Sequence, residues 1–440
     1  MAVVVTLKKA CAVNPLKMSQ PIGAALAFLG LNRCLPVLHG SQGCTAFGLV
    51  LFVRHFREAI PLQTTAMNEV TTVLGGMENI EQAILNIYTR ARPAIIGIAS
   101  TGLTETKGDD VDGCLKLIRK GHPELDKVAI VYVSTPDYVG AFQDGWAKAV
   151  TRLVEDLAES GPAVAGRIGV LAGSHLTPGD IEELRETVEA FGLEPVILPD
   201  LSGSLDGHVP EDFSPTTLGG TSVADVRDLG AADFAIAVGE QMRPAAEALT
   251  RKCGVRHTVF NRLTGLQEND RLLMLLADLS GRPVPDKFRR RRSQLVDAML
   301  DGHFFFGGKR VAIGAEPDLL WSVGSLLSEM GCEIAAAVTT TTSPLLQSMP
   351  CTEVVIGDLD DLEVRAGGCD LIITHSHGRQ AAARLGISLL RMGIPMFDRL
   401  GAAHRVGIGY RGTRELIFEI GNLFMADERP AHPVRAAAAH

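Results

Sequence analysis

The feature of this sequence that most limits its fold is a repeated unit, in which a short β-rich run, a turn, an amphipathic helix and a glycine precede the next β-rich run. The clearest copy covers residues 167–200, with its first strand predicted at 168–172. Thr177 stands where a helix N-cap belongs, and Pro178 occupies the first helical position. Gly192 is placed to end the helix in the left-handed conformation. Units of this kind predict parallel strands joined by right-handed crossover helices.

The same pattern recurs along most of the chain. Comparable strand and helix signals stand at residues 94–133, 234–254, 310–339 and 371–386. We therefore predict an α/β protein built from three Rossmann-like, doubly wound parallel-sheet domains. Turn-forming Gly and Pro residues near 160–162 and 281–285 indicate the boundaries. The predicted domains are residues 1–160, 161–285 and 286–440, and the C-terminal segment of the third is expected to pack back on the protein.

Composition and charge exclude several classes of protein. The chain has 440 residues, of which 46% are hydrophobic and 21% charged, as is typical of a globular protein. Its formal net charge of -9 argues against a nucleic-acid partner, so we expect the basic run at 289–292 to be a solvated or inter-subunit helix face. No apolar run approaches the ~20 residues of a membrane span, and the N-terminal one is too short for a signal peptide. We therefore expect a cytoplasmic protein with no membrane partner.

The sequence lacks the motifs that several other functions require. No G-x-G-x-x-G or P-loop motif stands in a suitable context, which argues against nucleotide binding. His375 and His377 follow a predicted strand, but without a partnered nucleophile we expect them to be hydrogen-bonded loop histidines. The eight cysteines include no C-x-x-C pair, so most are expected to be buried free thiols. A metal-binding cysteine must therefore find its fellow ligands far away in the chain or on another chain.

The most informative segment for chemistry is LHGSQGCTAFGLVLFVRHF at residues 38–56. Its Cys44 follows Gly43, and glycines beside a cysteine let the backbone approach a bulky group and free amide N–H groups to bind sulfur. Iron–sulfur clusters need thiolates surrounded by such amide donors. On these residues alone two interpretations stay open: a cluster ligand, or a structural turn around an inert cysteine.

A set of motifs resembles the nitrogenase component 1 beta family. The resemblance is carried by HGSQGC (39–44), RHFRE (54–58), PLKMSQPIGAALAFL (15–29), VLGGMEN (73–79), STGLTE (100–105) and QLVDAMLDGHF (294–304). These segments cover essentially the whole chain, and the resemblance implies the nitrogenase component 1 fold. The family includes the beta subunit of the catalytic molybdenum–iron protein and an assembly paralogue of that subunit.

The resemblance implies an iron–sulfur site in the N-terminal domain. The catalytic beta subunit places three cysteines around an eight-iron cluster, and the matching positions here hold Ser19, Cys44 and Gly102. A serine oxygen is a poor ligand for a soft metal and glycine has no side chain, so only Cys44 would bind metal. Gly43, Ser19 and Gly102 would border the cofactor. The implied cluster is therefore a smaller 4Fe–4S cluster shared with an alpha-like partner that donates three cysteines.

The segment PDLSGSLDGH at residues 199–208 is similar to the assembly paralogue rather than to the catalytic subunit. The resemblance then implies the beta-like subunit of a scaffold, rather than a self-standing enzyme, with no catalytic residues assigned to this chain. On that scaffold an iron–molybdenum cofactor precursor receives molybdenum and homocitrate before transfer to nitrogenase, and it is held mainly by the partner.

The implied partners are a NifE-like alpha subunit in an α2β2 heterotetramer, the nitrogenase Fe protein, and proteins that donate and accept the cofactor. The Fe protein would dock at residues 73–76, with Leu74 near the pseudo-twofold axis.

Other functions stay open. A catalytic nitrogenase beta subunit would need cysteines in place of Ser19 and Gly102. These two residues do not exclude an assembly paralogue from a vanadium system. A nucleotide-sugar-binding enzyme also pairs Rossmann-like domains, and it predicts nucleotide binding by the isolated chain without iron. A dark-operative tetrapyrrole reductase subunit is disfavoured by the segment 199–208.

Overall fold

The computed structural model describes residues 1–7, 15–68, 71, 75–209 and 211–426. The strands are β1 (Val3–Thr6), β2 (Cys34–His39), β3 (Gln63–Thr64), β4 (Ile95–Ser100), β5 (Ala129–Val133), β6 (Val164–Ala172), β7 (Glu194–Leu198), β8 (Ala232–Val238), β9 (His257–Phe260), β10 (Arg310–Gly314), β11 (Glu333–Thr339), β12 (Glu353–Ile356), β13 (Leu371–Thr374) and β14 (Ser388–Arg391).

Helices connect most of these strands. They are α1 (Gln20–Leu29), α2 (Gln42–Phe56), α3 (Met77–Ala91), α4 (Gly102–Lys107), α5 (Val111–Gly121), α6 (Phe142–Leu157), α7 (Pro178–Glu189), α8 (Val223–Asp228), α9 (Arg243–Cys253), α10 (Leu266–Ser280), α11 (Asp286–Phe306), α12 (Pro317–Glu329), α13 (Leu359–Arg365), α14 (Arg379–Leu385) and α15 (Gly409–Ala426). Across the described ranges, no helix has both the length and the apolar character that a membrane span requires.

In the described part of the chain the strands form three sheets, with the orders β3-β2-β4-β5, β7-β6-β8-β9 and β1-β12-β11-β10-β13-β14. Every strand pair within them is parallel. The sequence prediction of an α/β fold with three Rossmann-like parallel sheets is therefore confirmed. The core strands are buried from end to end, as in β2 and β4, because helices cover parallel sheets on both faces.

Strand order reverses direction once in each sheet. In the first sheet the chain moves from β2 to β3 on one side and then crosses to β4 on the other, and the same reversal occurs between β6 and β8 and between β10 and β13. The loops at the carboxyl ends of two such strands part in opposite directions and leave a crevice, which is where open α/β sheets bind ligands. The fold therefore has three such crevices.

The first strand, Val3–Thr6, pairs with Glu353–Ile356 of the third sheet. The N-terminus of the chain thus extends a sheet whose other strands come from residues 310–391. At the other end, the C-terminal helix α15 packs against α11. The division into domains 1–160, 161–285 and 286–440 stays a prediction. It assigns the first strand to the N-terminal domain, whereas this strand belongs to the third sheet.

The local signals in residues 167–200 act as the sequence predicts. The Thr177 hydroxyl accepts a hydrogen bond from the amide of Asp180, whose carboxylate accepts one from the amide of Thr177, so both ends of a capping box are present. Gly192 has a φ of 73°, in the left-handed region that favours glycine.

Helix α1 lies very close to α6, which fixes the start of α1 at the edge of the first sheet. A Cβ added to Gly23 would lie 1.9 Å from the carbonyl oxygen of Phe142, and one added to Gly145 would lie 1.9 Å from that of Gln20. Only glycine permits backbones to approach so closely, and a side chain at either position would force the two helices apart.

The basic run at 289–292 differs in part from its prediction. Arg289 and Arg290 are exposed, as expected of a solvated helix face. Arg291 instead pairs with Glu183 at 3.0 Å, and Arg292 pairs with Asp270. These ion pairs lie within one chain, because α11 crosses α7 and α10 in the folded protein.

Candidate functional site

The crevice of the first sheet lies between the loops that follow β2 and β4. The parallel register sets His39, the last residue of β2, beside Ser100, the last residue of β4. The hydroxyls of Thr101 and Thr104 donate to the carbonyl oxygen of His39 at 3.0 and 3.1 Å and hold the two loops together. Cys44 is the third residue of α2, just beyond this point.

Cys44 is partly exposed and stands in the first turn of α2, a 15-residue helix. Its Sγ lies 3.5 Å from Oγ of Ser41, the N-cap residue. The first amide N–H groups of a helix have no partner within the helix, so they are available to a sulfur atom or an anion at this end. Gly43 is exposed, and a Cβ there would meet nothing nearer than Ser41 Oγ at 3.9 Å. The backbone beside Cys44 is therefore open to a bulky group.

Gly102 begins α4 on the other side of the crevice, and it is buried. A Cβ added there would lie 2.0 Å from Oδ1 of Asp137, in the loop after β5. The carboxylate of Asp137 therefore stands where a side chain at this position would begin, and because Asp137 is exposed this carboxylate can turn aside. The sequence analysis did not single out Asp137, although its position after a predicted strand could have suggested it.

Ser19 occupies the N-cap position of α1, with no capping hydrogen bond from its side chain. The next residue, Gln20, donates from Nε2 to the carbonyl oxygens of Val139 at 2.6 Å and Pro136 at 3.2 Å. The start of α1 is thus tied to the loop that carries Asp137. One turn into each helix, a Cβ at Gly48 of α2 would lie 3.0 Å from Cδ1 of Ile22 of α1.

The structure therefore brings all four residues of the expected cofactor site to one edge of the first sheet. Their surroundings differ: Cys44 and Gly43 are accessible, Gly102 is buried beside the carboxylate of Asp137, and Ser19 stands next to Gln20, which is tied to the loop after β5. Within the described part of the chain, no group of three or more His, Cys, Asp or Glu side chains is arranged to hold a metal ion. A metal cluster bound through Cys44 would therefore take its other ligands from beyond the described residues.

Some of the buried polar groups at this edge make structural contacts, and others, such as Nε2 of His39, have no hydrogen-bond partner among the described residues. Glu105 accepts hydrogen bonds from the hydroxyls of Ser100, Ser134 and Tyr132. Burial lowers the pKa of His39 to about 4, so its ring is neutral near pH 7, and its Nδ1 lies 2.9 Å from the Thr65 hydroxyl. The Nε2 of His39 lies 3.8 Å from Oδ2 of Asp109, beyond hydrogen-bond distance.

An exposed apolar surface lies on the elements at this edge of the first sheet. Its members come from α2, from α4 and from the loop after β5, and we call it the apolar edge surface: Phe47, Val50, Leu103, Tyr138 and Val139. The Phe47 side chain is 62% exposed. Contiguous exposed apolar groups of this kind mark protein–protein interfaces more often than free surface. The geometry is that of a thiol at the rim of a subunit contact.

Segments 73–76 and 199–208 are the two other regions that the sequence singled out for function. Of the expected Fe-protein docking segment 73–76, Val73 and Leu74 lie outside the described residues, and Gly76 precedes α3. The segment 199–208 lines a groove of about 690 Å³, where the amide of Gly207 donates to Glu58 at 2.9 Å. It thereby connects the second sheet to the end of α2.

Comparison with known proteins matches the family model "Nitrogenase component 1 type Oxidoreductase" to residues 19–425. Two curated relatives are each described as "Nitrogenase iron-molybdenum cofactor biosynthesis protein NifN". The relative from Bradyrhizobium diazoefficiens is 60% identical over 97% of this chain and 92% of its own length. The one from Nostoc sp. is 52% identical over 97% of this chain and 96% of its own.

Solved structures agree with these matches. The structure described as "Nitrogenase Cp1 at pH 6.5" has a TM-score of 0.91 and 30% identity, and the match covers 99% of this chain and 98% of that one. A chain of "Nitrogenase Cp1 at pH 5" has a TM-score of 0.73 at 15% identity, over 96% of this chain and 90% of that one, and it shows likeness of fold alone.

Proposed function

Since the chain belongs to the nitrogenase component 1 type oxidoreductase family, we propose that it is the beta-like subunit of a scaffold that matures the iron–molybdenum cofactor. On this complex a precursor receives molybdenum and homocitrate before the cofactor passes to nitrogenase. The proposal is supported by relatives of that description that are 50–60% identical over nearly the whole chain.

The observation that carries the proposal is that, of positions 19, 44 and 102 at this edge of the first sheet, only position 44 holds a thiol. Cys44 is accessible there, while Asp137 stands beside Gly102 and Ser19 offers only a hydroxyl. A catalytic beta subunit would need thiols at all three positions. A chain with one thiol at these three positions fits a subunit that contributes a single ligand to a cluster shared with its partner.

The residues present fit one corner of a 4Fe–4S cluster, with three further cysteines from the alpha-like subunit. Such a cluster supplies one-electron transfer when bound. Cys44 would hold one iron, and the free amides in the first turn of α2 would donate to sulfur and stabilise its negative charge. Gly43 would leave room for the cluster. We assign this chain no catalytic residue and no ligand of the precursor.

The apolar edge surface supports an alpha-like partner at this end of the molecule. Phe47 and Val50 of this surface share α2 with Cys44, so a subunit that covers them would bring its own cysteines close to this thiol. We propose that this contact builds the α2β2 heterotetramer from a NifE-like subunit and this chain, within domain 1–160. The Fe protein and the proteins that donate and accept the cofactor would bind the assembled complex.

The test is anaerobic co-purification of the full chain with its alpha-like partner, as wild type, Cys44→Ala and Cys114→Ala. Cys114 is a partly exposed cysteine on α5 and serves as the matched control. We expect Cys44→Ala to lose iron and the electron paramagnetic resonance signal of a reduced 4Fe–4S cluster while the complex stays intact. Cys114→Ala is expected to match wild type. Unchanged iron content and spectrum in Cys44→Ala would remove the residue as a ligand and contradict the proposal.

A further inference from the structure

The crevices of the second and third sheets open into one shared cavity of about 50 Å³. Its wall includes Ser174 and His175, which follow β6. It also includes Glu316, beyond β10, and His375, which follows β13. By the same rule that marks the Cys44 crevice, each of these positions is a place where a parallel sheet binds ligands. Two such positions facing one interior space indicate a ligand site that the cluster at Cys44 does not explain.

His175 lines this cavity. Its buried Nδ1 has no hydrogen-bond partner among the described residues. Its ring fits between two glycines: a Cβ added to Gly173 or to Gly239 would lie 2.9 Å from its Cε1. Both neighbours therefore allow the ring to stand at the crevice between β6 and β8. A buried nitrogen without a partner is costly, and the same ring lines the cavity, so a polar group bound there would offset part of that cost.

The other histidines of the cavity are already satisfied. His55 accepts from the amide of Met396 at 2.9 Å. Nδ1 of His375 accepts from the amide of His377 at 3.3 Å, and its Nε2 lies 3.4 Å from the carbonyl oxygen of Leu16, so it is hydrogen-bonded as the sequence predicted. Burial lowers the pKa of His55, His175 and His375 to about 4, so all three rings are neutral near pH 7.

Glu316 supplies a second polar group. Burial raises its pKa to about 8, so this carboxyl carries a proton near neutral pH and can donate it in a hydrogen bond. The same residue is the N-cap of α12, and the cavity also borders the start of α7 at Thr177 and Pro178. The positive ends of two helix dipoles therefore point at this region and favour negative charge.

The rest of the wall is apolar. It is formed mainly by Leu16, Met18, Phe142, Leu319, Met392, Ile394 and Met396. Flexible methionine side chains suit an aliphatic ligand, because they adapt to its shape. A ligand must therefore combine a small acidic or oxygen-rich end with a short apolar end.

We propose that this cavity binds a short-chain aliphatic carboxylic acid, whose carboxyl group is hydrogen-bonded by His175 and Glu316. The aliphatic chain contacts the three methionines. Because the cavity has room for only a few water-sized groups, ligands of about five heavy atoms fit and long-chain acids do not. His55 and Phe56 line both this cavity and the groove beside segment 199–208, so the groove provides the entry side. The proposal is independent of the cluster, and Cys44→Ala is expected to bind the acid as wild type does.

The test uses the full-length protein with ¹³C-methyl methionine and sodium propionate as the probe. Of the 12 methionines, Met18, Met392 and Met396 line the cavity, and the exposed Met274 reports on non-specific effects. We expect the three cavity signals to shift saturably while that of Met274 stays fixed. The absence of a saturable shift, or equal shifts at Met274, would overturn the proposal whether or not any variant folds.

A pair of matched variants then assigns the polar contact. His175→Phe keeps a planar ring but removes the hydrogen bond, and it is expected to weaken propionate binding at least about tenfold. His303→Phe makes the same change on the exposed surface of α11 and is expected to bind as wild type does. Equal affinity of wild type and His175→Phe would contradict the role of His175.

Discussion

The carboxylate of Asp137 stands where a side chain on Gly102 would begin: a Cβ on Gly102 would lie 2.0 Å from Oδ1 of Asp137. Because Asp137 is exposed, its carboxylate can rotate away from a new side chain, and we expect Gly102→Cys to destabilise the chain by less than about 1 kcal/mol. Asp137→Ala should relieve the clash, so the double variant is expected to be more stable than Gly102→Cys alone. Urea unfolding of the two single variants and the double variant gives the coupling free energy. A coupling of zero would mean that the two residues do not compete for space.

The capping box of α7 gives a second prediction. Thr177 bonds the amide of Asp180 and also donates to the carbonyl oxygen of Arg405, which joins α7 to the C-terminal region. Thr177→Ala is expected to lower the free energy of unfolding by about 1–2 kcal/mol. The control is Ser222→Ala, at the cap of the six-residue helix α8, where we expect a smaller loss. Equal losses in urea unfolding would show that the contact with Arg405 adds nothing.

Local signals in the sequence predicted the elements well. The strand expected at 371–374 is Leu371–Thr374, and the helices expected to end at Gly254 and Gly386 do so, each with its glycine in the left-handed region. These features depend on a few neighbouring residues, because caps, left-handed glycines and apolar periodicity act within one or two turns.

Contacts between distant residues could not be read in the same way. The pairing of Val3 with Glu353 joins opposite ends of the chain, and Arg291 pairs with Glu183 rather than with solvent or a partner. Both follow from how the sheets pack, which no local pattern encodes. For the candidate site, the sequence identified Cys44 and Gly102, but the placement of Asp137 beside Gly102 needed the fold.

Glu316 predicts a pH dependence of stability. Burial raises the pKa of its carboxyl from an ordinary 4.5 to about 8, so the folded protein binds this proton more tightly than the unfolded chain. The contribution of this group to the free energy of unfolding is largest below about pH 4.5 and is lost as pH rises through 8. Relative to wild type, Glu316→Gln should therefore gain stability between these values, by at most about 1.4 kcal/mol per pH unit.

The measurement is urea unfolding of wild type and Glu316→Gln at several values of pH from 5 to 8. Glu211→Gln, on the exposed surface, is the control and should give a profile parallel to that of wild type. Because the buried histidines are the same in all three proteins, their contributions cancel in the difference. A constant difference between Glu316→Gln and wild type would mean that Glu316 is ionised in the folded protein.

The apolar edge surface predicts where the alpha-like partner binds. Phe47 stands one helical turn after Cys44 and is 62% exposed, so a charge there would be buried without a partner if a subunit covers this surface. We expect Phe47→Glu to reduce co-purification of the partner at least about tenfold, with the free energy of unfolding of the isolated chain unchanged within about 0.5 kcal/mol. Val364→Glu, at an exposed apolar residue of α13, is the control and should retain the partner. If Phe47→Glu retains the partner as well as this control does, the contact lies elsewhere, and a cluster shared through Cys44 would lose its second source of ligands.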